Sequence, residues 1–192
     1  MLLARDNPFA TERVLRQRYR LDEADWAGLL TRLKQMRFRG ALVGAHGSGK
    51  TTLLEDIAKR LERDGWRLVW VRLSTEFPRL PEECDGEFFA RLGEKELVLL
   101  DGAEQLGLLA WWLFRYQARR AGGLVITTHR AGRLPTLRRC ETTPQLLSEL
   151  VASLGESLLE ADAERLHARH RGNLREALRE LYDERAGIEV SG

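Results

Sequence analysis

The period of the hydrophobic positions divides the chain into alternating strands and helices. Trp26, Leu29, Leu30, Leu33 and Met36 recur at helical spacing and predict a helix over residues 22–36. Phe38 to Val43 reads as a strand, and Lys50 to Arg63 as a helix that Asp64-Gly65 breaks. A second strand is expected from Arg67 to Leu73, with Leu68, Val69, Trp70 and Val71 apolar in succession. Residues 74–95 hold Pro78, Pro81 and Gly86 and predict a loop with one short helix around Glu87 to Leu92. Glu96 to Leu100 is a third strand, followed by a helix from about Glu104 to Arg119. Gly122-Gly123 ends that unit, and a fourth strand runs Leu124 to Thr127. A weaker fifth is expected near Leu137 to Glu141.

From Pro144 onward the pattern is helical only, with helices at Gln145 to Leu154, Leu159 to His167 and Leu174 to Arg185. Strands alternating with helices imply a parallel sheet covered on both faces, and uniformly apolar strands fit that burial. The expected fold is α/β, a three-layer α/β/α sandwich around a mostly parallel five-stranded sheet, with a small C-terminal helical lid. Residues 1–37 form an N-terminal helical linker, residues 38–143 the core and residues 144–192 the lid in this reading.

Composition changes this picture little. The 192 residues suit one main domain with a small appendage. No apolar run approaches the roughly 20 residues of a membrane span. The start, MLLARDNPFA, lacks the apolar core of a signal peptide. Cys84 and Cys140 are far apart and form no CxxC, which fits idle thiols in a reducing compartment, so a cytoplasmic location is expected. The net charge is +2, from 31 basic and 29 acidic residues, too balanced to announce nucleic-acid binding. Arginines nevertheless cluster at Arg13, Arg16, Arg18 and Arg20, and again at Arg130, Arg133, Arg138 and Arg139. A solvated surface and contacts to phosphate are the two readings of these clusters.

Candidate chemistry begins between the first strand and its helix. Gly44-Ala45-His46-Gly47-Ser48-Gly49-Lys50-Thr51 fits G-x-x-x-x-G-K-[ST], with Thr52 following. Such a phosphate-binding loop needs glycines because its backbone torsions are ones other residues resist. Its N–H groups then turn inward onto phosphates at a helix N-terminus. Lys50 is expected on the β- and γ-phosphates and Thr51 on magnesium, so a nucleoside triphosphate with Mg2+ is the expected ligand. His46 occupies a variable position of the loop and reads as a spacer.

A magnesium partner is expected at Asp101, which ends the apolar run Leu97-Val98-Leu99-Leu100. Glu104, three residues on, is either a base for an attacking water or an acidic residue favoured at a helix start. Leu124 to Arg130 is an apolar strand leaving in Thr127, Thr128, His129 and Arg130, on the rim that carries the loop. Thr127 and Thr128 are candidates to bond the γ-phosphate or the water, and Arg130 to set positive charge against it.

Taken in order, these motifs make the chain resemble an AAA+ or closely related STAND-type ATPase. Asn7-Pro8-Phe9 is similar to the N-terminal linker of several bacterial AAA+ proteins, which packs on adenine. Val125-Ile126-Thr127-Thr128-His129-Arg130 is similar to the STAND sensor strand, whose arginine reads the γ-phosphate; this maps onto Arg130. Gly172-Asn173-Leu174-Arg175-Glu176-Ala177-Leu178 resembles the lid motif called sensor 2, which implies that Arg175 reaches the nucleotide. Asn173 also reads as a helix N-cap. The chain departs from the family at Gly102, where most members carry the water-activating glutamate. Either Glu104 replaces it or hydrolysis is slow.

Three functions remain at this stage. One is an ATPase binding Mg-ATP between core and lid and coupled to a partner. Another is a nucleotide-dependent binding module that does not hydrolyse. The third is a small-molecule kinase, whose substrate site would lie near Glu76, Glu82, Glu83 and Asp85. A protein partner is expected. Its surface involves Trp111-Trp112 if the apolar excess of the Glu104 to Arg119 helix is an interaction site; a helix packed on both sheet and lid explains the same residues. A nucleic-acid partner stays open through the arginines.

Overall fold

A computed structural model describes residues 22–186. The linker motif Asn7-Pro8-Phe9 and the cluster Arg13, Arg16, Arg18 and Arg20 lie outside these residues. The described chain falls into two compact units, residues 22–44 with 49–140 and residues 45–48 with 141–186.

The first unit is built on a sheet of five parallel strands in the order β2-β3-β4-β1-β5. These are β1 (Arg39–Val43), β2 (Arg67–Arg72), β3 (Glu96–Asp101), β4 (Gly123–Thr128) and β5 (Thr136–Arg139). Alternate residues of the central strands serve opposite faces. Leu97 and Leu99 of β3 pack with α1 (Glu23–Gln35) and α2 (Lys50–Arg63). Val98 and Leu100 face the other way, toward α3 (Gly86–Ala90) and α4 (Leu108–Gln117). Both faces are therefore covered, which is why these strands read as unbroken apolar runs. β2 is an edge strand, and its Leu68, Val69 and Trp70 are only half-buried.

Helix α1 lies inside the segment read from sequence as a linker, yet Trp26, Leu29 and Leu33 belong to the same cluster as α2. Its start is set by Asp22, whose side chain accepts from the Asp25 N–H at 2.7 Å. Helix α2 spans the residues its sequence pattern predicts.

The expected single helix from Glu104 to Arg119 is a correction. Ala103–Gln105 is a short 3-10 turn, Leu106 and Gly107 are extended, and α4 begins only at Leu108. Gly107 is a poor helix former. Leu106 turns into the core, and its carbonyl accepts from Arg133 Nη2 at 2.5 Å. Trp111 and Phe114 of α4 are buried, while Leu108, Leu109, Trp112, Leu113 and Tyr116 form an exposed apolar stripe. The two neighbouring tryptophans thus differ, at 7% and 60% exposure.

The helical unit comprises α5 (Pro144–Ser153), α6 (Glu160–Arg169) and α7 (Leu174–Ala186). Leu147, Val151, Leu166, Ala177 and Leu178 form its core. Thr143 caps α5 by accepting from the Leu146 N–H at 3.1 Å. The α6–α7 connection is pinned by buried Glu180, which pairs with Arg169 and, at 2.6 Å, with His170. Thr142 Oγ1 donates to the Gly172 carbonyl at 2.8 Å and lies 3.1 Å from His167 Nε2.

Among the described residues no helix is long and apolar enough to cross a membrane. Cys84 and Cys140 are free thiols, the latter buried.

Phe114 is fully buried, edge-on to Phe89 and stacked with Trp111. Phe114→Ala is expected to lower the unfolding free energy by about 3–5 kcal/mol in chemical denaturation. A loss below about 1 kcal/mol would contradict this packing.

Candidate functional site

The strand order places the C-terminal ends of β3, β4 and β1 side by side. Chains leaving β1 and β3 run to helices on opposite faces, the topology at whose strand ends parallel α/β sheets commonly hold ligands. The Gly44–Thr51 loop, Asp101 and Thr127 to Arg130 all leave the sheet on this rim.

Gly44 is tied to the end of β4, its N–H donating to the Thr128 carbonyl at 3.2 Å. Gly47 and Gly49 have φ of +72° and +80°, in the left-handed region that favours glycine. Helix α2 starts at Gly49 with no side-chain cap, which leaves its first N–H groups open to an anion. Ser48 Oγ is buried and has no hydrogen-bond partner among the described residues. Lys50 is buried, and its ammonium donates to the Gly44 carbonyl at 2.9 Å. Burial pushes the Lys50 pKa down, while the charges of Glu104, Cys140 and Asp101 push it back up.

Thr51 Oγ1 lies 3.0 Å from Asp101 Oδ2 and 3.3 Å from Oδ1. Residues 50 positions apart thus bring a hydroxyl and a carboxylate together at the start of α2. From the other side, Thr127 Oγ1 donates to Asp101 Oδ1 at 2.6 Å and accepts from the Gly102 N–H at 2.8 Å. Thr127 is 1% exposed, so this hydroxyl is committed to orienting Asp101. In this structure, then, the Thr127 hydroxyl, a candidate for the γ-phosphate or the water, sits on Asp101 and the Gly102 N–H. Thr128 donates to the Arg130 carbonyl at 3.3 Å, and the Arg130 side chain is exposed.

Glu104 does not start a helix but sits in the Ala103–Gln105 turn. Its Oε1 meets His129 Nε2 at 3.1 Å, and its Oε2 is buried with no hydrogen-bond partner among the described residues. The pairing joins a turn to a strand exit, and neither sequence pattern announces it. Arg133, one of the clustered arginines, is partly withdrawn from solvent: it donates to Leu106 and lies 5.1 Å from the Trp111 ring. Burial lowers its pKa, and the charge of Glu104 opposes that shift.

Gly102 has φ +84°, and a Cβ there would fall 2.3 Å from the Leu73 carbonyl oxygen. A side chain there would overlap the backbone at the neighbouring strand's exit, which accounts for glycine at this position.

In the helical unit, Asn173 caps α7 by accepting from the Glu176 N–H at 3.3 Å. Its side chain is 3.4 Å from His46 Nδ1, and a Cβ on Gly47 would fall 1.9 Å from its Oδ1. His46, read from sequence as a spacer, therefore has a contact of its own. Arg175 is exposed on α7.

Among the described residues no group of three or more His, Cys, Asp and Glu side chains forms a metal cage. The Thr51–Asp101 pair offers one hydroxyl and one carboxylate, oxygen donors suited to a hard cation that keeps several other ligands. Comparison with protein-family models found no match, and neither did comparison with curated protein sequences.

Gly102→Ala is expected to destabilise the protein by more than the roughly 1–2 kcal/mol of a left-handed alanine, because the Cβ also overlaps backbone. Thermal unfolding checks this; an unchanged midpoint would contradict the geometry.

Proposed function

We propose that this chain binds a magnesium–ATP complex at the Gly44–Thr51 loop and is a P-loop ATPase of AAA+ or STAND type. The observation that carries the reading is the approach of Thr51 to Asp101 at 3.0 Å. It supports a loop hydroxyl and a strand-end carboxylate acting on one cation. The uncapped start of α2 and the buried Lys50 ammonium support an anion at the loop.

In this reading the loop N–H groups and Lys50 bind the phosphates, and Lys50 exchanges the Gly44 carbonyl for a phosphate oxygen. Thr51 and Asp101 hold Mg2+, which when bound neutralises charge on the phosphates. Thr127 fixes the Asp101 carboxylate. Glu104 accepts the proton of the attacking water, and Arg130 places charge on the terminal phosphate. Arg175 enters this proposal from the family resemblance alone.

The output is coupling of binding, or of slow hydrolysis, to a protein partner. The exposed stripe Leu108, Leu109, Trp112, Leu113 and Tyr116 supports such a partner, since large apolar surfaces rimmed by arginines such as Arg115 and Arg119 are typical of interfaces. The kinase reading is less well supported: Glu76, Glu82, Glu83 and Asp85 are exposed, and Asp85 caps α3 at 2.8 Å.

Titration with a fluorescent ATP analogue tests the site. Lys50→Ala is expected to weaken binding at least about 10-fold, the loss of a charge-assisted contact. Equal affinity in both proteins would contradict it. Phosphate release decides between the enzyme and the non-hydrolysing switch. Glu104→Gln is expected to keep affinity and lose about 10²–10⁴ in turnover; a rate unchanged by this substitution favours the switch. Adding DNA or RNA to the same assay tests a nucleic-acid motor, which unstimulated turnover would remove.

A further inference from the structure

The turn after β3 departs from the simplest design for hydrolysis, in which an acid directly follows the magnesium-binding aspartate. Gly102 takes a left-handed φ of +84° there and packs its α-carbon against the Leu73 carbonyl. The chain then enters the Ala103–Gln105 turn, which moves the first available carboxylate to Glu104.

Glu104 is used asymmetrically. Oε1 is paired with His129 Nε2 at 3.1 Å. Oε2 is buried and has no hydrogen-bond partner among the described residues. An unsatisfied buried carboxylate oxygen is costly, and a native structure keeps one where a ligand or water completes it. A partly exposed carboxylate–histidine contact made only for stability gains too little to offset an orphaned buried oxygen. Among the described residues, Glu104 acts electrostatically on Lys50 of α2 and on Arg133 of the loop after β4, and it meets His129 at the exit of β4.

We infer that His129 is a positioning residue: it grips one oxygen of Glu104 so that the other faces the water that attacks the terminal phosphate. The inference rests on the nucleotide reading above. Water oxygen bonds to the terminal phosphorus, and the bond from that phosphorus to the bridging oxygen breaks. Its electron pair leaves on the nucleoside diphosphate. Glu104 Oε2 takes the water proton and later returns it to solvent, giving diphosphate and inorganic phosphate. His129 donates a hydrogen bond throughout and transfers no proton. Its Nε2 is committed to Glu104.

The test combines kinetics with a measurement on the nucleotide-free protein. His129→Ala is expected to lower kcat about 10–100-fold at unchanged nucleotide affinity, as for a misplaced catalytic group. His129→Gln, whose side-chain amide donates from nearly the position of Nε2, should restore most of it. Combining His129→Ala with Glu104→Gln should cost no more than Glu104→Gln alone, since the two act as one unit. Without nucleotide, the imidazole resonances of the four histidines are recorded, and the one missing in His129→Gln is assigned. Glu104→Gln should shift that resonance. An unchanged kcat in folded His129→Ala, additive losses in the double variant, or an unmoved resonance would each overturn the assignment. Failure of the nucleotide reading looks different, because wild-type protein would then bind no ATP analogue at all.

Discussion

The Asp101 carboxylate is gripped by two hydroxyls, Thr51 from the helix that follows the loop and Thr127 from the neighbouring strand. Most of the arrangement follows from that grip. Thr127 can reach Asp101 only because β4 lies directly beside β3, and the loop can reach it only because β1 is the next strand over. Parallel strands put all three exits on one rim. The Gly102 N–H, which would otherwise be a buried unpaired donor, is satisfied by the same Thr127 hydroxyl. A single buried side chain therefore orients the acid and anchors the backbone after it.

That backbone is the second constraint. At Gly102 the chain passes so close to the exit of β2 that only glycine fits. The cost is the loss of any side chain at that position. The left-handed turn that glycine permits brings Glu104 round instead, within reach of His129 and within the field felt by Lys50. The charges at the rim form one linked set: a buried ammonium whose burial disfavours its charge, two carboxylates that restore it, and a partly withdrawn arginine in Arg133.

Local signals were legible and tertiary ones were not. Helix α2 was readable to its ends because a glycine loop starts it and Asp64-Gly65 stops it. Strand β3 is readable because both its faces are covered and every residue between Glu96 and Asp101 is apolar. The break at Leu106-Gly107 was hidden: the apolar residues around it continue a helical pattern, and only the burial of Leu106 and its bond from Arg133 show that the chain must extend there. Thr127 is legible as a polar strand end, but its bond to Asp101 is not, since its register against Asp101 depends on strand order. The contacts of Glu104 with His129 and of His46 with Asn173 join residues 25 and 127 positions apart, across which no periodicity runs.

The central claim is that Thr51 and Asp101 form one half of a cation site that a triphosphate completes. Calorimetric titration with ATP, with and without Mg2+, in wild-type protein and in Asp101→Asn tests it most directly. Mg2+ is predicted to tighten ATP binding to the wild type, by a factor that falls sharply in Asp101→Asn while metal-free affinity stays the same. Binding that ignores Mg2+, or a magnesium effect that the substitution leaves intact, would contradict the account.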